Sequence, residues 1–284
     1  MPSCLIRGAD FHYELAGDAE PVLTLVHGGL AHSAVWRSQV PPLSLHARVL
    51  SLDLRGYGES GGADSGCTVA GWARDLIGLW DALELESSYL LGFSLGGMIA
   101  QEVALLAPER VAGLVLQSTS ARLDEDARRA FMLRADVVEA TGLAEELATH
   151  LQRAFSPRFL AEQPELVECY RREVARTDPA VLAASFRAVA SFHRLDELPR
   201  ISCPTLVLAG EEDQGGFARD ALALRATIPN AALAILAGVG HTIHLEAPST
   251  FTTMVRDFVD SRGTVQFERR GSFGEPLGEP GTAT

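Results

Sequence analysis

A serine between two glycines, at the join of an apolar strand and an apolar helix, constrains the fold of this chain more than any other feature. Residues 90–98 read LLGFSLGGM, with Ser94 between Gly92 and Gly96. Such a turn is tight enough to strain the serine backbone, and side chains with a Cβ do not fit two positions to either side. The pattern also occurs by chance in ordinary turns, but the apolar runs before and after it predict the strand, turn and helix that would expose a reactive hydroxyl.

The composition predicts a globular protein that folds without disulfides or metal. A chain of 284 residues, 47% of them hydrophobic, can bury a large interior without cross-links. The cysteines form no Cys-x-x-Cys pair and have no histidine at metal-ligand spacing. They are Cys4, Cys67, Cys169 and Cys203. We therefore expect them to be free thiols in a reducing cytoplasm.

Charge and hydropathy argue against two classes of partner. The formal net charge is −13, whereas binding to nucleic acid or an anionic membrane requires clustered lysines and arginines. No segment reaches the roughly 18 to 20 apolar residues of a membrane span, and the N-terminus does not resemble a signal peptide. We expect a soluble, cytoplasmic protein whose partner is a small molecule.

Apolar strands alternate with amphipathic helices along most of the chain. The sequence predicts a hairpin over residues 5–15 and a helix over 68–83, whose apolar positions recur at three- and four-residue steps. The other predicted strands are residues 22–26, 48–54, 88–93, 111–116, 205–209 and 232–236. This alternation indicates an α/β fold with a mostly parallel sheet covered on both faces.

One long segment, residues 120–201, interrupts the alternation and is termed the cap. It contains amphipathic helical pieces broken by glycine and proline, and no convincing strand. It follows a sheet strand at the edge where loops build the sites of open α/β sheets, so we expect it to cover Ser94. Its aromatic residues either pack within the cap or line a pocket; they are Phe131, Phe155, Phe159, Tyr170, Phe186 and Phe192.

The cap divides the predicted α/β core into residues 1–119 and 202–262. The last segment, residues 263–284, becomes rich in proline and glycine. It cannot bury enough apolar surface to offset the entropy of ordering, so we expect it to be disordered.

Two loops late in the chain carry the partners that a serine nucleophile needs. The hydroxyl needs a general base, and the base needs a carboxylate that fixes its tautomer. His241 lies in a glycine-bounded loop after one predicted strand, and Asp213 lies in an acidic loop after another. The order Ser94, Asp213, His241 is typical of α/β-hydrolases.

These separate motifs make the chain similar to the α/β-hydrolase superfamily over roughly residues 4–262. The resemblance implies an eight-stranded, mostly parallel sheet with helices on both faces and an inserted helical cap. It matches Ser94 to the family's nucleophile, His241 to its base and Asp213 to its acid. It implies acyl transfer without a metal or organic cofactor.

The resemblance also assigns two backbone donors that would bind an oxyanion. They are the N–H groups of Leu95, which follows the serine, and of Gly29, the third residue of the family's His-Gly-x loop. We interpret His27 as a structural brace of this loop, and Trp36 as a packing residue beneath it. Residues 53–60, DLRGYGES, resemble the family's Asp-x-Arg-Gly-x-Gly-x-Ser turn and are also interpreted as structural.

Alternatives exist for the base and for the acid. His244 lies close to His241, but it would start the next helix and face elsewhere. Relatives often have a proline shortly after the acid, whereas residues 213–217 read DQGGF. This departure leaves the path of the loop open. Three other carboxylates are candidates for the acid: Glu211, Glu212 and Asp124.

The cap is the guide to the substrate. In residues 155–171, 177–180 and 201–207 it resembles the caps of 3-oxoadipate enol-lactonases, which favours a small ester or lactone as substrate. An anionic lactone would suit the cap arginines, although solvent-facing arginines are the simpler interpretation; these are Arg134, Arg158, Arg187 and Arg194. Other possibilities on the same triad are a C–C bond hydrolase of aromatic ring-cleavage products and a perhydrolase. A non-catalytic ligand receptor is a further one.

Overall fold

The computed structural model describes residues 3–62 and 66–264, and its sheet confirms the expected α/β fold. Eight strands lie in the order β1-β2-β4-β3-β5-β6-β7-β8. β2 pairs antiparallel with β1 and β4, and the other neighbours are parallel. The strands are β1 (Ser3–Ile6), β2 (Ala9–Ala16), β3 (Val22–Val26), β4 (Arg48–Leu52), β5 (Ser88–Phe93), β6 (Val111–Gln117), β7 (Thr205–Gly210) and β8 (Ala231–Leu236).

Helices cover both faces because alternate residues of each buried strand point to opposite sides. On β5, for example, Leu90 belongs to the apolar cluster on one face of the sheet, whereas its neighbour Leu91 belongs to the cluster on the other face. The helices of the core are α1 (Val40–Leu43), α2 (Val69–Ala82), α3 (Leu95–Leu106), α9 (Phe217–Thr227), α10 (Ile243–Glu246) and α11 (Pro248–Asp260).

Strand β4 ends two residues earlier than the sequence predicted. Asp53 and Leu54 continue the apolar run only at Leu54, and both residues form hydrogen bonds with neighbouring loops instead. The Leu54 N–H donates to His27 Nε2 at 3.0 Å, and the Asp53 carboxylate accepts the Ser33 N–H at 2.7 Å. The apolar pattern alone does not reveal these long-range bonds.

Between β6 and β7 the chain of the cap is helical. Three of its five described helices begin at capping residues, because the side chains of Asp124, Ser156 and Asp178 each accept a first-turn N–H. A common apolar cluster joins the cap helices to Leu30 of the core. The helices are α4 (Glu125–Thr141), α5 (Ala144–Ala154), α6 (Pro157–Glu162), α7 (Pro164–Val174) and α8 (Pro179–Ser191).

The two ends of the cap leave the core side by side. The Arg194 N–H donates to the Ala121 carbonyl at 2.8 Å, and Arg122 forms an isolated β-bridge with His193. The Arg194 guanidinium reaches back to Glu102 on α3 at 2.7 Å. A narrow neck of paired chain therefore connects the cap to the sheet.

Two further predictions concern the C-terminal segment and the absence of membrane-spanning segments. Most of the segment predicted to be disordered, from residue 265 onwards, lies outside the described residues. Within the described part of the chain, none of the helices has the length and apolar character needed to cross a membrane.

Candidate functional site

Ser94 lies in a strained turn between β5 and α3, as the glycine pattern predicted. This turn, residues 92–96, is here termed the elbow. Its φ is +53° and its ψ is −113°, a conformation that costs free energy for a residue with a side chain. The flanking glycines permit the turn. A Cβ on Gly92 would lie 2.2 Å from the Gly96 carbonyl oxygen, and one on Gly96 would lie 2.3 Å from the Val26 carbonyl oxygen.

The turn exposes Ser94 within an otherwise buried segment. Ser94 is partly exposed, whereas its neighbours Phe93 and Leu95 are each 2% exposed. Leu95 is the first residue of α3, so its N–H has no carbonyl one turn earlier to bond within the helix. The helix thus begins with a donor beside the Ser94 hydroxyl.

His241 and Asp213 form a short hydrogen bond at the ends of β8 and β7. Their Nδ1 and Oδ2 atoms are 2.7 Å apart, with only 1% of the Asp213 side chain and 13% of the His241 side chain exposed. The second carboxylate oxygen, Oδ1, accepts the Gly215 N–H at 2.9 Å. Both carboxylate oxygens therefore have donors, and the imidazole is fixed in orientation.

The loop after Asp213 lacks the proline that relatives often have, and a glycine precedes α9 instead. Gly216, with φ +79°, is the residue before the helix, and the Phe217 ring that follows lies 4.9 Å from the His241 ring. Phe93 contacts the same imidazole, with a centroid distance of 5.0 Å. Two phenyl rings thus restrict the movement of His241.

The end of β6 joins Ser94 to the His241 loop through residues that sequence analysis missed. The Gln117 carbonyl accepts the Ser94 N–H at 2.9 Å. The Thr119 hydroxyl donates to the Ser94 carbonyl at 2.7 Å, and the adjacent Ser118 hydroxyl donates to the His241 carbonyl at 2.8 Å. A polar run directly after an apolar strand was the available signal.

The cap also contacts the His241 loop through residues that were missed. The Glu246 carboxylate accepts the Gly240 N–H at 3.0 Å and the Ser156 N–H at 3.2 Å. Burial raises the pKa of Glu246. Thr242 donates its N–H and its hydroxyl to the Ala154 carbonyl, at 3.1 and 2.9 Å. The position of this loop is therefore set partly by the cap.

Residues Gly28–Ala31, here termed the oxyanion turn after the role that the sequence predicts for Gly29, follow β3 and lie against Phe93. The Ala31 N–H donates to the Gly28 carbonyl at 3.3 Å, and Gly29 is partly exposed between buried neighbours. His27 braces the turn as predicted, because its Nδ1 lies 2.8 Å from the Gly28 carbonyl. Burial lowers the pKa of His27 to about 4, so its ring is neutral at pH 7.

His244 is placed away from solvent and away from Asp213. Its ring is fully buried between Trp36 and Phe93, with centroid distances of 4.7 Å to each, and its Nδ1 contacts the Gln117 side chain. Burial lowers its pKa to about 3. Trp36 is itself fully buried, as a packing residue should be.

The alternative acids lie elsewhere. Asp124 caps α4 and pairs with Arg219 at 3.0 Å. Glu211 and Glu212 are exposed, and Glu211 accepts the Gly238 N–H. Of the four candidate carboxylates, Asp213 is the one that bonds to His241.

The four cap arginines are each paired with a carboxylate. Arg134 alone reaches the cap interior, where Glu146 binds it at 2.7 Å and the Phe186 ring lies 4.1 Å from its guanidinium carbon. The pairs of the other three are Arg158–Glu162, Arg187–Glu139 and Arg194–Glu102. Their charges are therefore already compensated within the fold.

The aromatic residues of the cap mostly pack against one another. Phe155 stacks on Phe159 at 5.0 Å and meets the edge of Tyr170 at 5.1 Å, and Phe131 meets Phe186 at 5.7 Å. In the part of the chain that the structure describes, no group of three His, Cys, Asp or Glu residues is placed to hold a metal ion.

Comparison with known proteins agrees with this geometry. Residues 21–248 match the family model for the alpha/beta hydrolase fold. A protein from Azorhizobium caulinodans, named as the carbamate hydrolase RutD, is 28% identical over 91% of this chain and 98% of its own length. The 3-oxoadipate enol-lactonase 2 of Acinetobacter baylyi is 28% identical over 86% of this chain and 91% of its own.

A solved structure extends the similarity to three dimensions. The enol-lactonase from Burkholderia xenovorans LB400 superposes with a TM-score of 0.87 at 27% identity, covering 91% of this chain and all of that one. Because the family model matches most of the sequence, the chain belongs to the α/β-hydrolase family.

Proposed function

We propose that this protein is a serine hydrolase that cleaves a small ester or lactone through an acyl-enzyme. The observation that carries the proposal is the buried 2.7 Å bond between His241 and Asp213, whose imidazole packs against Phe93, the residue before the strained, partly exposed Ser94. Ser118 and Thr119, adjacent in the chain, hold the His241 and Ser94 carbonyls. This arrangement supports the roles of nucleophile, base and acid for Ser94, His241 and Asp213.

In the first half-reaction, His241 takes the proton of the Ser94 hydroxyl as its oxygen attacks the substrate carbonyl. Asp213 holds the imidazole in the tautomer whose Nε2 accepts that proton, and stabilises the imidazolium that forms. The N–H groups of Gly29 and Leu95 stabilise the negative charge that develops on the carbonyl oxygen. His241 then protonates the leaving oxygen, which in a lactone stays attached to the acyl group.

In the second half-reaction, His241 activates a water molecule that attacks the acyl-enzyme. The tetrahedral intermediate again places its negative oxygen at the two backbone donors, and its collapse returns the proton to Ser94. Every proton moves between substrate, water, Ser94 and His241.

The enol-lactonase relatives support a lactone or ester carbonyl as the target. They match over most of the chain both in sequence and in three dimensions. The carbamate hydrolase relative supports a second candidate, since a carbamate carbonyl can be attacked by the same serine. Because Arg134, Arg187 and Arg194 already have carboxylate partners, the cap favours substrates without a strict requirement for an anionic group.

The test compares wild-type protein with Ser94→Ala and with Ser191→Ala, an exposed serine on the cap. A burst of p-nitrophenol from p-nitrophenyl acetate and labelling of Ser94 by a fluorophosphonate are expected for the wild type and Ser191→Ala. Ser94→Ala should lose both while keeping its circular dichroism spectrum. Hydrolysis that survives in Ser94→Ala would contradict the proposal, and absence of burst and labelling in the wild type would favour a non-catalytic receptor.

Values of kcat/KM for a panel of lactones, aryl esters, carbamates and aromatic ring-cleavage products would then define the substrate. We expect the highest values among lactones and esters. A carbamate that exceeded them by tenfold or more would move the assignment to the second candidate, with the same catalytic residues.

A further inference from the structure

We propose that Tyr57 and Ser185 are positioning residues that hold the oxyanion turn in its working conformation, so that the cap supports the reaction as well as covering it. The inference rests on the proposed function, because it assigns a purpose to the Gly29 N–H. It concerns a tyrosine of the core turn 53–60 and a serine of cap helix α8. Sequence analysis interpreted the first as structural and did not single out the second.

The oxyanion turn is strained at Leu30. This residue has a φ of +63° and stands third in the turn closed by the Gly28 and Ala31 bond, where the left-handed region favours glycine. A leucine there costs roughly 1 kcal/mol or more. Its side chain is 1% exposed and packs in the apolar cluster of the cap. The turn therefore keeps its shape only while surrounding contacts hold it.

The Tyr57 hydroxyl lies directly beneath this turn. The phenol is 1% exposed, and its ring meets the edge of the His27 ring at 5.1 Å. Burial raises the pKa of the phenol, whereas a backbone hydrogen bond from Leu30 lowers it, which points to the Leu30 N–H as the donor. A Cβ built on Gly29 would lie 3.8 Å from the same oxygen. One hydroxyl thus lies close to the residue that is proposed to bind the oxyanion and to the strained residue after it.

The hydroxyl is linked in turn to the cap. Its oxygen lies 2.6 Å from Ser185 Oγ, and both side chains are buried. Ser185 donates its proton to the Val181 carbonyl at 2.8 Å, so the Tyr57 proton must be the one shared between the two hydroxyls. The bonds run in one direction, from Leu30 N–H to Tyr57 to Ser185 to Val181, and such a chain strengthens each member.

Loss of the phenol oxygen should act on the chemical step. Replacing Tyr57 by phenylalanine leaves the Leu30 N–H buried without its acceptor. Because an unpaired buried N–H costs free energy, the Gly28–Ala31 peptides are expected to rotate toward another acceptor. The Gly29 N–H belongs to the residue before Leu30, so this rotation would turn it away from the oxyanion. Since one such donor contributes about 10²- to 10³-fold in rate, we expect kcat to fall about 10- to 100-fold with little change in KM.

The experiment measures kcat and KM of Tyr57→Phe, Ser185→Ala and the matched control Tyr89→Phe on a p-nitrophenyl ester and on the corresponding thionoester. Tyr89 is also buried, but it packs against Phe258 on the far part of the sheet. Backbone donors stabilise an oxygen anion better than a sulfur anion. The ratio of ester to thionoester kcat/KM should therefore fall in Tyr57→Phe, fall less in Ser185→Ala, and stay at the wild-type value in Tyr89→Phe.

An unchanged ratio in Tyr57→Phe, or a change confined to KM, would overturn the proposal while leaving the serine hydrolase intact. If Tyr57→Phe does not fold, Ser185→Ala decides in the same way, because it keeps the phenol and removes only its acceptor. A wild-type protein without ester hydrolysis would refute the proposed function instead.

Discussion

Three strained residues with side chains lie around the candidate site. Ser94, Ser118 and Leu30 have φ values of +53°, +47° and +63°, in a region that most such residues avoid. Each makes contacts that the strained conformation allows: Ser94 is exposed on the elbow, Ser118 reaches the His241 loop, and Leu30 fills the cap cluster. Three other described residues with positive φ, Arg7, Glu84 and Arg262, lie in turns elsewhere, whereas strain in residues that shape a site is typical of function.

At the residue scale, Asp213→Asn should test the acid. The amide keeps the shape of the side chain but favours the wrong imidazole tautomer, so we expect kcat to fall by up to about 10⁴-fold with the fold retained. Asp124→Asn is the control, because Asp124 lies on the cap and pairs with Arg219 of α9 rather than with His241. Steady-state kinetics on one ester would measure both. Equal losses in the two variants would remove Asp213 from the proposed triad.

At the element scale, the sequence predicted what depends on local pattern. Apolar runs located the strands of the sheet, and the Gly92 and Gly96 spacing located the elbow. The early end of β4 was missed because His27, far away in the sequence, takes the Leu54 N–H. Hydrogen bonds made across the fold leave little trace in the periodicity of one segment.

The same reason explains which part of the candidate site could be predicted. Ser94, Asp213 and His241 each stand in a loop directly after a strand, where short motifs reveal them. Their supports, such as Thr119 and Glu246, act through partners 25 and 90 positions away. These contacts become visible only when the elements are packed.

The elbow also predicts a strong effect of Gly96→Ala. The added Cβ would lie 2.3 Å from the Val26 carbonyl oxygen and 2.6 Å from that of His27, so α3 and the end of β3 would have to separate. We expect a loss of about 1–3 kcal/mol or more, as for other overpacked sites. Urea denaturation would measure it. Gly61→Ala is the control, because its Cβ meets only ordinary contacts at 3.8 Å, and equal stabilities would show that the elbow tolerates the methyl group.

At the scale of the whole molecule, buried histidines make stability depend on pH. Burial lowers the pKa of His27 to about 4 and those of His150 and His244 to about 3, whereas an unfolded histidine has a pKa of about 6.5. Below that value the unfolded chain binds protons that the folded protein does not. Stability should therefore fall as pH falls from about 6.5 toward 4, by up to about 4 kcal/mol per pH unit when all three contribute.

Urea midpoints at several pH values between about 7.5 and 5 would measure this slope. Glu246 acts in the opposite sense over part of the range, because burial raises its pKa. His150→Phe should reduce the slope by about a third, and His46→Gln, at an exposed position, should leave it unchanged. Midpoints that do not vary with pH would contradict the assignment of neutral, buried imidazoles.

The narrow neck of the cap affects how proteins of this fold can diverge in evolution. The chain leaves the core at Ala121 and returns at Arg194, where the two segments pair with each other. Nearly all of the chain between these residues can therefore be exchanged for a foreign insert without breaking a strand of the sheet. Replacing this one contiguous stretch of gene can change which substrates a descendant accepts, as long as the new cap again supplies partners for Tyr57 and for the His241 loop.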